Sequence, residues 1–173
     1  MSQLGQHPSD RLIGELIASR RAASAEEIAQ IVERMATAPF SSRVVRVPMK
    51  ERGAAYQGQI LTARAPSLVY HLVKRVVIEE QWARGTTAAR YLADLAQAVR
   101  NPAARLVIYE RRGQRVAATI TPTGRVIPAT RLGIDALPEL LVVYSADSSM
   151  IVTGYQFSRL DQTGVPGEAL WLK

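Results

Sequence analysis

Three residues at helical spacing, His71, Lys74 and Arg75, stand in the stretch Tyr70-His71-Leu72-Val73-Lys74-Arg75. At i, i+3 and i+4 on a helix they face the same way, opposite an apolar stripe of Leu72, Val73 and Val76. An imidazole can take or give a proton near neutral pH, and cations beside it can hold a phosphate or stabilise charge building on phosphorus. Further along, Thr153 and Tyr155 flank Gly154 and share one face of a strand. Arg111-Arg112 fall at a hairpin tip and Ser145 at a strand end. Such a set could bind and cleave a phosphodiester. His71 would be the general base or acid, and Lys74, Arg75, Arg111 and Arg112 would hold phosphate. Thr153 and Tyr155 would position the substrate or stabilise the leaving oxygen, and Ser145 would add a contact. Every one of these residues also has an ordinary reading. The His-Lys-Arg trio fits a solvated helix face, Arg111-Arg112 fit turn solvation, and Tyr155 fits half-buried packing, as do Tyr70, Trp82 and Trp171.

Other chemistries find less support. There is no Gly-Lys-Ser/Thr phosphate loop, paired-glycine dinucleotide turn or His-Glu-x-x-His helix. Glu79-Glu80 with His71 would lie on different helix faces, a poor metal-ligand geometry. A hydrolase triad from Ser145, His71 and Asp147 has no nucleophile-elbow sequence around it. With no cysteine, there is no thiol nucleophile, disulfide or thiolate metal site. No cofactor is expected.

The chain of 173 residues carries a net charge of +7, with 22 basic against 15 acidic residues. The excess is spread along the chain and is carried almost wholly by arginine, whose planar fork suits phosphate. A skewed genome composition would produce the same ratio. Polyanions are the favoured partners. No apolar run approaches the ~20 residues that span a bilayer. The start, Met-Ser-Gln-Leu-Gly-Gln-His7-Pro, lacks a signal-peptide pattern, so a cytoplasmic setting is expected.

The elements that must position these residues follow from periodicity. Leu12, Ile13, Leu16 and Ile17 predict a first helix over 9–23, with His7 in a polar tail before it. Ser24-Ala-Glu-Glu27 reads as a capping box opening a second helix that ends before Pro39. These two helices must pack on the rest of the chain or on another subunit. Residues 43–49 read as an edge strand, 50–65 as a loop with a short strand near 59–62, and 68–82 as a helix ended by Gly85. Thr86 or Thr87 caps a further helix to Arg100. The period then changes to two. Strands at 105–110 and 115–121 flank Arg111-Arg112-Gly113-Gln114, a hairpin turn. A short extended piece follows at 126–128, and strands at 140–146 and 150–158 make a second hairpin. Helices first, then strands, imply an α+β fold with a four- or five-stranded antiparallel sheet and helices on one face.

Residues 67–158 resemble the barnase/colicin/RelE-type ribonuclease fold of bacterial and phage toxins. The likeness rests on Tyr70-His71 with Lys74-Arg75, Trp82-Ala-Arg84-Gly85-Thr86-Thr87 leading into Tyr91-Leu92, Tyr109-Glu-Arg111-Arg112-Gly113, Val143-Tyr144-Ser145 and Val152-Thr153-Gly154-Tyr155. It covers a little over half the chain and is one of layout more than of strict motif. It implies a ribonuclease-like domain at 67–173, preceded by a helical extension with an edge strand at 1–66. It also implies metal-independent cleavage of RNA by attack of the 2′-hydroxyl on the adjacent phosphorus. The extension could then regulate access, self-associate or receive an antitoxin. The alternative is a non-catalytic nucleic-acid-binding or oligomeric interaction module on the same frame, and a third is a structural protein of an assembly. Catalysis needs His71, a cation and a hydroxyl to converge on one phosphate-sized space, whereas binding needs only a continuous positive surface.

Overall fold

The computed structural model describes residues 6–173. Helix α1 spans Pro8–Ser19 and α2 spans Ala25–Thr37. His7 caps α1, its Nδ1 accepting from the Ser9 amide at 3.1 Å, where a plain polar tail is expected. The helix stops at Ser19, four residues short of the predicted end, because Arg20 turns left-handed (φ 55°) and its amide closes on the Leu16 carbonyl. The Ser24–Glu27 capping box is present in both directions. Two short ribbons follow. In the first, β1 (Val44–Arg46) pairs with β4 (Arg64–Pro66); in the second, β2 (Ala55–Tyr56) pairs with β3 (Gln59–Ile60).

Helix α3 (Ser67–Val73) carries His71, and here the structure departs from the expected helix over 68–82. Residues Lys74–Ile78 form a single π-helical turn. The Glu79 amide reaches back to the Lys74 carbonyl at 2.8 Å, and Glu80 ends the turn at φ 50°. The β-branched run Val76-Val77-Ile78 disfavours a tight continuation, and π turns of this kind cluster at functional sites. Trp82 lies beyond the helix, bridged to Leu132 and buried. Thr87 caps α4 (Ala88–Arg100) through the Arg90 amide.

Five strands form one antiparallel sheet: β5 (Arg105–Arg111), β6 (Gln114–Pro122), β7 (Glu139–Ser145), β8 (Met150–Phe157) and β9 (Leu170–Trp171). Their order is β8-β7-β6-β5-β9. The fold is therefore α+β, as the pattern implies. Arg112 (φ 52°) and Gly113 (φ 75°) make the type I′ geometry that a two-residue hairpin needs. The fifth strand comes from the C-terminal Leu-Trp pair, too short to show a period of two. Val126 and Ile127, expected to be extended, instead lie buried between two 3₁₀ turns.

One face of the sheet packs against α1, α2 and α4. Ile13, Leu16, Ile31 and Met35 share a single core with Leu95, Val99, Leu106, Ile108 and Val142. Residues on both sides of position 66 thus build this core, and the two N-terminal helices bury their apolar faces on their own chain. Fully buried Asp10 fixes α1 to the second hairpin by accepting from Tyr144 and Ser149. The opposite face buries Val107, Tyr109, Ala118 and Leu141, partly under Val165 and Ala169 of the C-terminal segment. No helix among the described residues is long and apolar enough to cross a membrane.

The free edge of β8 is closed at both ends and open between. Ile151 exchanges backbone bonds with Pro39 and Ser41, while the Gln81 side chain bonds both the amide and the carbonyl of Gln156. Between these caps a bulge opposite Val143/Tyr144 leaves Val152 unpaired and sets Thr153 and Tyr155 on the sheet face away from Gly154. Gly154 turns toward α4, where a Cβ would come 2.4 Å from Leu95 Cδ2. Gly154→Ala should therefore cost about 1–3 kcal/mol and shift Thr153 and Tyr155. Chemical denaturation would read the first effect, and loss of site function beyond the loss of folded protein the second.

Candidate active site at the edge of the sheet

Thr153 is the meeting point. Its Oγ1 lies 3.3 Å from Arg75 Nη2 and 3.3 Å from His71 Nδ1, joining α3 and its π turn to the last long strand. Arginine can only donate, so the hydroxyl accepts from Arg75 and is free to give its own proton to Nδ1. That assignment leaves the imidazole proton on Nε2. Phe40 meets the His71 ring edge-on at 5.6 Å, and Tyr70 does so at 5.2 Å.

Arg75 differs most from expectation. The spacing puts it on a solvated face with His71 and Lys74, yet the residue is only 6% exposed. The π turn carries it inward. Its Nη1 donates to Glu79 at 2.6 Å, and its guanidinium lies 4.7 Å from the centre of the Tyr155 ring. Nε is buried without a hydrogen-bond partner among the described residues. Tyr155 thus supplies its ring to Arg75. Its hydroxyl donates to the Gln162 carbonyl at 3.0 Å, so a role for that hydroxyl at the leaving oxygen is not what this geometry offers.

Lys74 turns elsewhere. Its Nζ lies 3.3 Å from the Tyr70 hydroxyl and 3.6 Å from buried Glu51, with Glu79 at 3.9 Å. Tyr70 in turn donates to Glu51 at 2.6 Å. The expected single-faced trio is therefore split, with Arg75 on the strand and Lys74 in a carboxylate-lined corner. Lys74 still lines the hollow it shares with Arg75 and Glu79.

Beyond Thr153 the open face of the sheet forms a groove of about 380 Å³. Arg111, Arg112, Ser145, Thr153 and Tyr155 all line it, and Arg43 joins them. Ser145 donates to Gln114 and accepts from the Ser148 amide, and Asp147 is held by Arg115 at 2.6 Å. The Ser145-His71-Asp147 triad is accordingly not assembled. Among the described residues, no three His, Cys, Asp or Glu side chains gather as metal ligands would.

Burial pushes the His71 imidazole down to about 3, and the charges of Arg75 and Lys74 push it the same way. His71 is therefore neutral across the physiological range, and the same burial and cations make it weakly basic in the free protein. An arriving phosphate would offset both cations and raise its basicity. Family models, curated proteins and solved structures give no match to this chain. The site stands on its own geometry.

The low value carries a stability consequence. Between pH 6.5 and about 3 the unfolded chain binds a proton on His71 that the folded protein does not. Stability from this group is complete above pH 6.5 and falls as the pH drops toward 3, by at most about 1.4 kcal/mol per pH unit. His71→Gln should flatten part of the acid loss in melting temperature. Melts at pH 7, 5.5 and 4 would check this, and an unchanged slope would count against a buried neutral imidazole.

Three contributors have roles that the sequence reading does not assign them. Phe40 and Tyr91 approach the site from distant positions, Tyr91 by donating to the Gly154 carbonyl at 2.7 Å from beneath β8. Nothing in the local sequence marks Phe40, and Tyr91 is marked only as part of the stretch that carries the family likeness. Glu79 does carry a signal, its i, i+4 spacing from Arg75, although as a partner of arginine and not as a metal ligand.

Proposed function

We propose that the protein is an endoribonuclease of toxin-like type that cleaves RNA by 2′-hydroxyl transesterification without needing a metal. The observation that supports this most strongly is the convergence of the His71 imidazole and the Arg75 guanidinium on the Thr153 hydroxyl, at 3.3 Å each, beside an arginine-lined groove. Neutral His71 takes the proton of the 2′-hydroxyl in the place where it now meets Thr153. The 2′-oxygen bonds to phosphorus and the bond from phosphorus to the 5′-oxygen breaks. The products are a 2′,3′-cyclic phosphate and a 5′-hydroxyl; the 5′-oxygen leaves on the far side of phosphorus and takes a proton from water, while the imidazolium returns its own to solvent. Arg75 and Thr153 face the charge that builds on the phosphate oxygens, while Arg111 and Arg112 hold the strand along the groove. Such donors act most strongly where water is partly excluded.

A cytoplasmic setting fits an RNA substrate. An antitoxin or a second copy engaging the N-terminal helices would meet their outer, charged faces, since the apolar faces are used within the chain.

The test is incubation of pure protein and a His71→Ala variant with fluorescently labelled mixed-sequence RNA in EDTA. Cleavage by the wild type and not by the variant is expected. Salt-sensitive binding by both with no cleavage would favour the non-catalytic binding module.

A further inference from the structure

Away from the groove, residues 42–66 carry Arg43, Arg46, Lys50, Arg52 and Arg64 against one acid, Glu51. All five cations are exposed, whereas Glu51 is buried and engaged by Tyr70 and Lys74. None of the five forms a salt bridge among the described residues. The register of the β1–β4 ribbon sets Arg46 directly opposite Arg64. Val45 and Ala65 face the small core under the ribbon, so both arginines project from its outer side. Like charges placed opposite one another oppose folding, and no carboxylate among the described residues pairs with either arginine.

The ribbon is coupled to the site. Strand β4 runs directly into α3, the Ser67 amide bonds the Arg43 carbonyl at 2.8 Å, and Tyr70 and Val73 of α3 pack on Val47 and Ala65. Arg43 also lines the catalytic groove. Arg43, at the groove, lies one residue before β1, whose Arg46 stands on the outer face of the ribbon.

We infer that the β1–β4 ribbon is a second RNA-binding surface, holding backbone phosphates of the same strand outside the nucleotides cleaved at His71. The inference rests on the ribonuclease reading and extends it: the substrate is a long RNA, and chain length contributes to affinity. Paired arginines without carboxylate partners fit a phosphate backbone.

The probes are a labelled 2′-O-methyl 30-mer and 5-mer, which lack the attacking hydroxyl and so report binding alone, with the ribo 5-mer as the cleavage substrate. The variant is Arg46→Gln/Arg64→Gln. The variant should bind the 30-mer roughly tenfold more weakly, with its salt slope reduced by about 1.4. It should bind and cleave the 5-mer as the wild type does. Its melting temperature should hold or rise, because a repulsion is removed. Unchanged 30-mer affinity, or an equal loss on both lengths, would overturn the ribbon site and leave the catalytic reading standing. Wild type that neither binds nor cleaves any RNA would overturn both. Binding to phosphatidylserine vesicles that needs Arg46 and Arg64, with no RNA binding, would overturn the proposal in favour of a membrane surface.

Discussion

Arg75→Ala should lower RNA cleavage by roughly 10²–10³-fold, the cost of losing one preorganised donor to developing charge. The residue is 6% exposed, so a module that merely adheres to RNA through its surface has little use for it. A proportionate loss of cleavage and of binding would therefore point away from catalysis, whereas loss of turnover with affinity largely kept points to it. The substitution also leaves Glu79 without its closest partner and removes the guanidinium from the Tyr155 ring. A stability cost of up to about 3 kcal/mol follows, moderated because Glu79 is partly exposed and Lys74 Nζ stands 3.9 Å from it. Arg75→Ala combined with Glu79→Gln separates the two effects. Stability should recover in the double variant and cleavage should not. Rates measured on matched amounts of folded protein, beside denaturation curves, would settle the comparison.

His71→Ala should cost about 10²–10⁴-fold in cleavage, the usual worth of a positioned general base or acid. Its signature is rescue. Free imidazole added to the variant should restore part of the rate, with a pH dependence that follows the added base. In the wild type, NMR of the His71 ring should show it neutral well below pH 6.5, and a bound 3′-nucleotide should move its titration upward as the phosphate offsets Arg75 and Lys74. A His71 that titrates near 6.5 in the free protein would contradict the buried, cation-flanked ring described here. Loss of activity without imidazole rescue would assign His71 a packing role between Phe40 and Tyr70.

Much of this site is legible in the sequence. The period-two alternation around Gly154 places Thr153 and Tyr155 on one face, and the Arg112-Gly113 turn marks its hairpin, because both depend only on local geometry. The inward path of Arg75 is not legible. A helix wheel assumes 3.6 residues per turn, and one π turn at Lys74–Ile78 moves everything after Val73 off that wheel. The split of Lys74 from Arg75 is hidden for a different reason, since it depends on Glu51, brought in by the loop after β1. The capping box and the apolar stripes give α1 and α2 almost completely. That their stripes pack on the same core as the sheet is a tertiary fact which a pattern of Ile13, Leu16, Ile31 and Met35 alone leaves open. The fifth strand, Leu170–Trp171, is recognisable only from its pairing with Val107 and Ile108.

The chemical identity of the new 3′ ends tests the central claim most directly. A ribo-oligonucleotide cut by the wild-type protein in EDTA, analysed by mass spectrometry, should carry 2′,3′-cyclic phosphate at the new 3′ end and hydroxyl at the new 5′ end. The 2′-O-methyl form of the same sequence should remain intact. Products ending in 3′-hydroxyl, cleavage of the 2′-O-methyl strand, or no cleavage of either would contradict a site in which His71 and Arg75 turn the RNA's own 2′-hydroxyl against its phosphate.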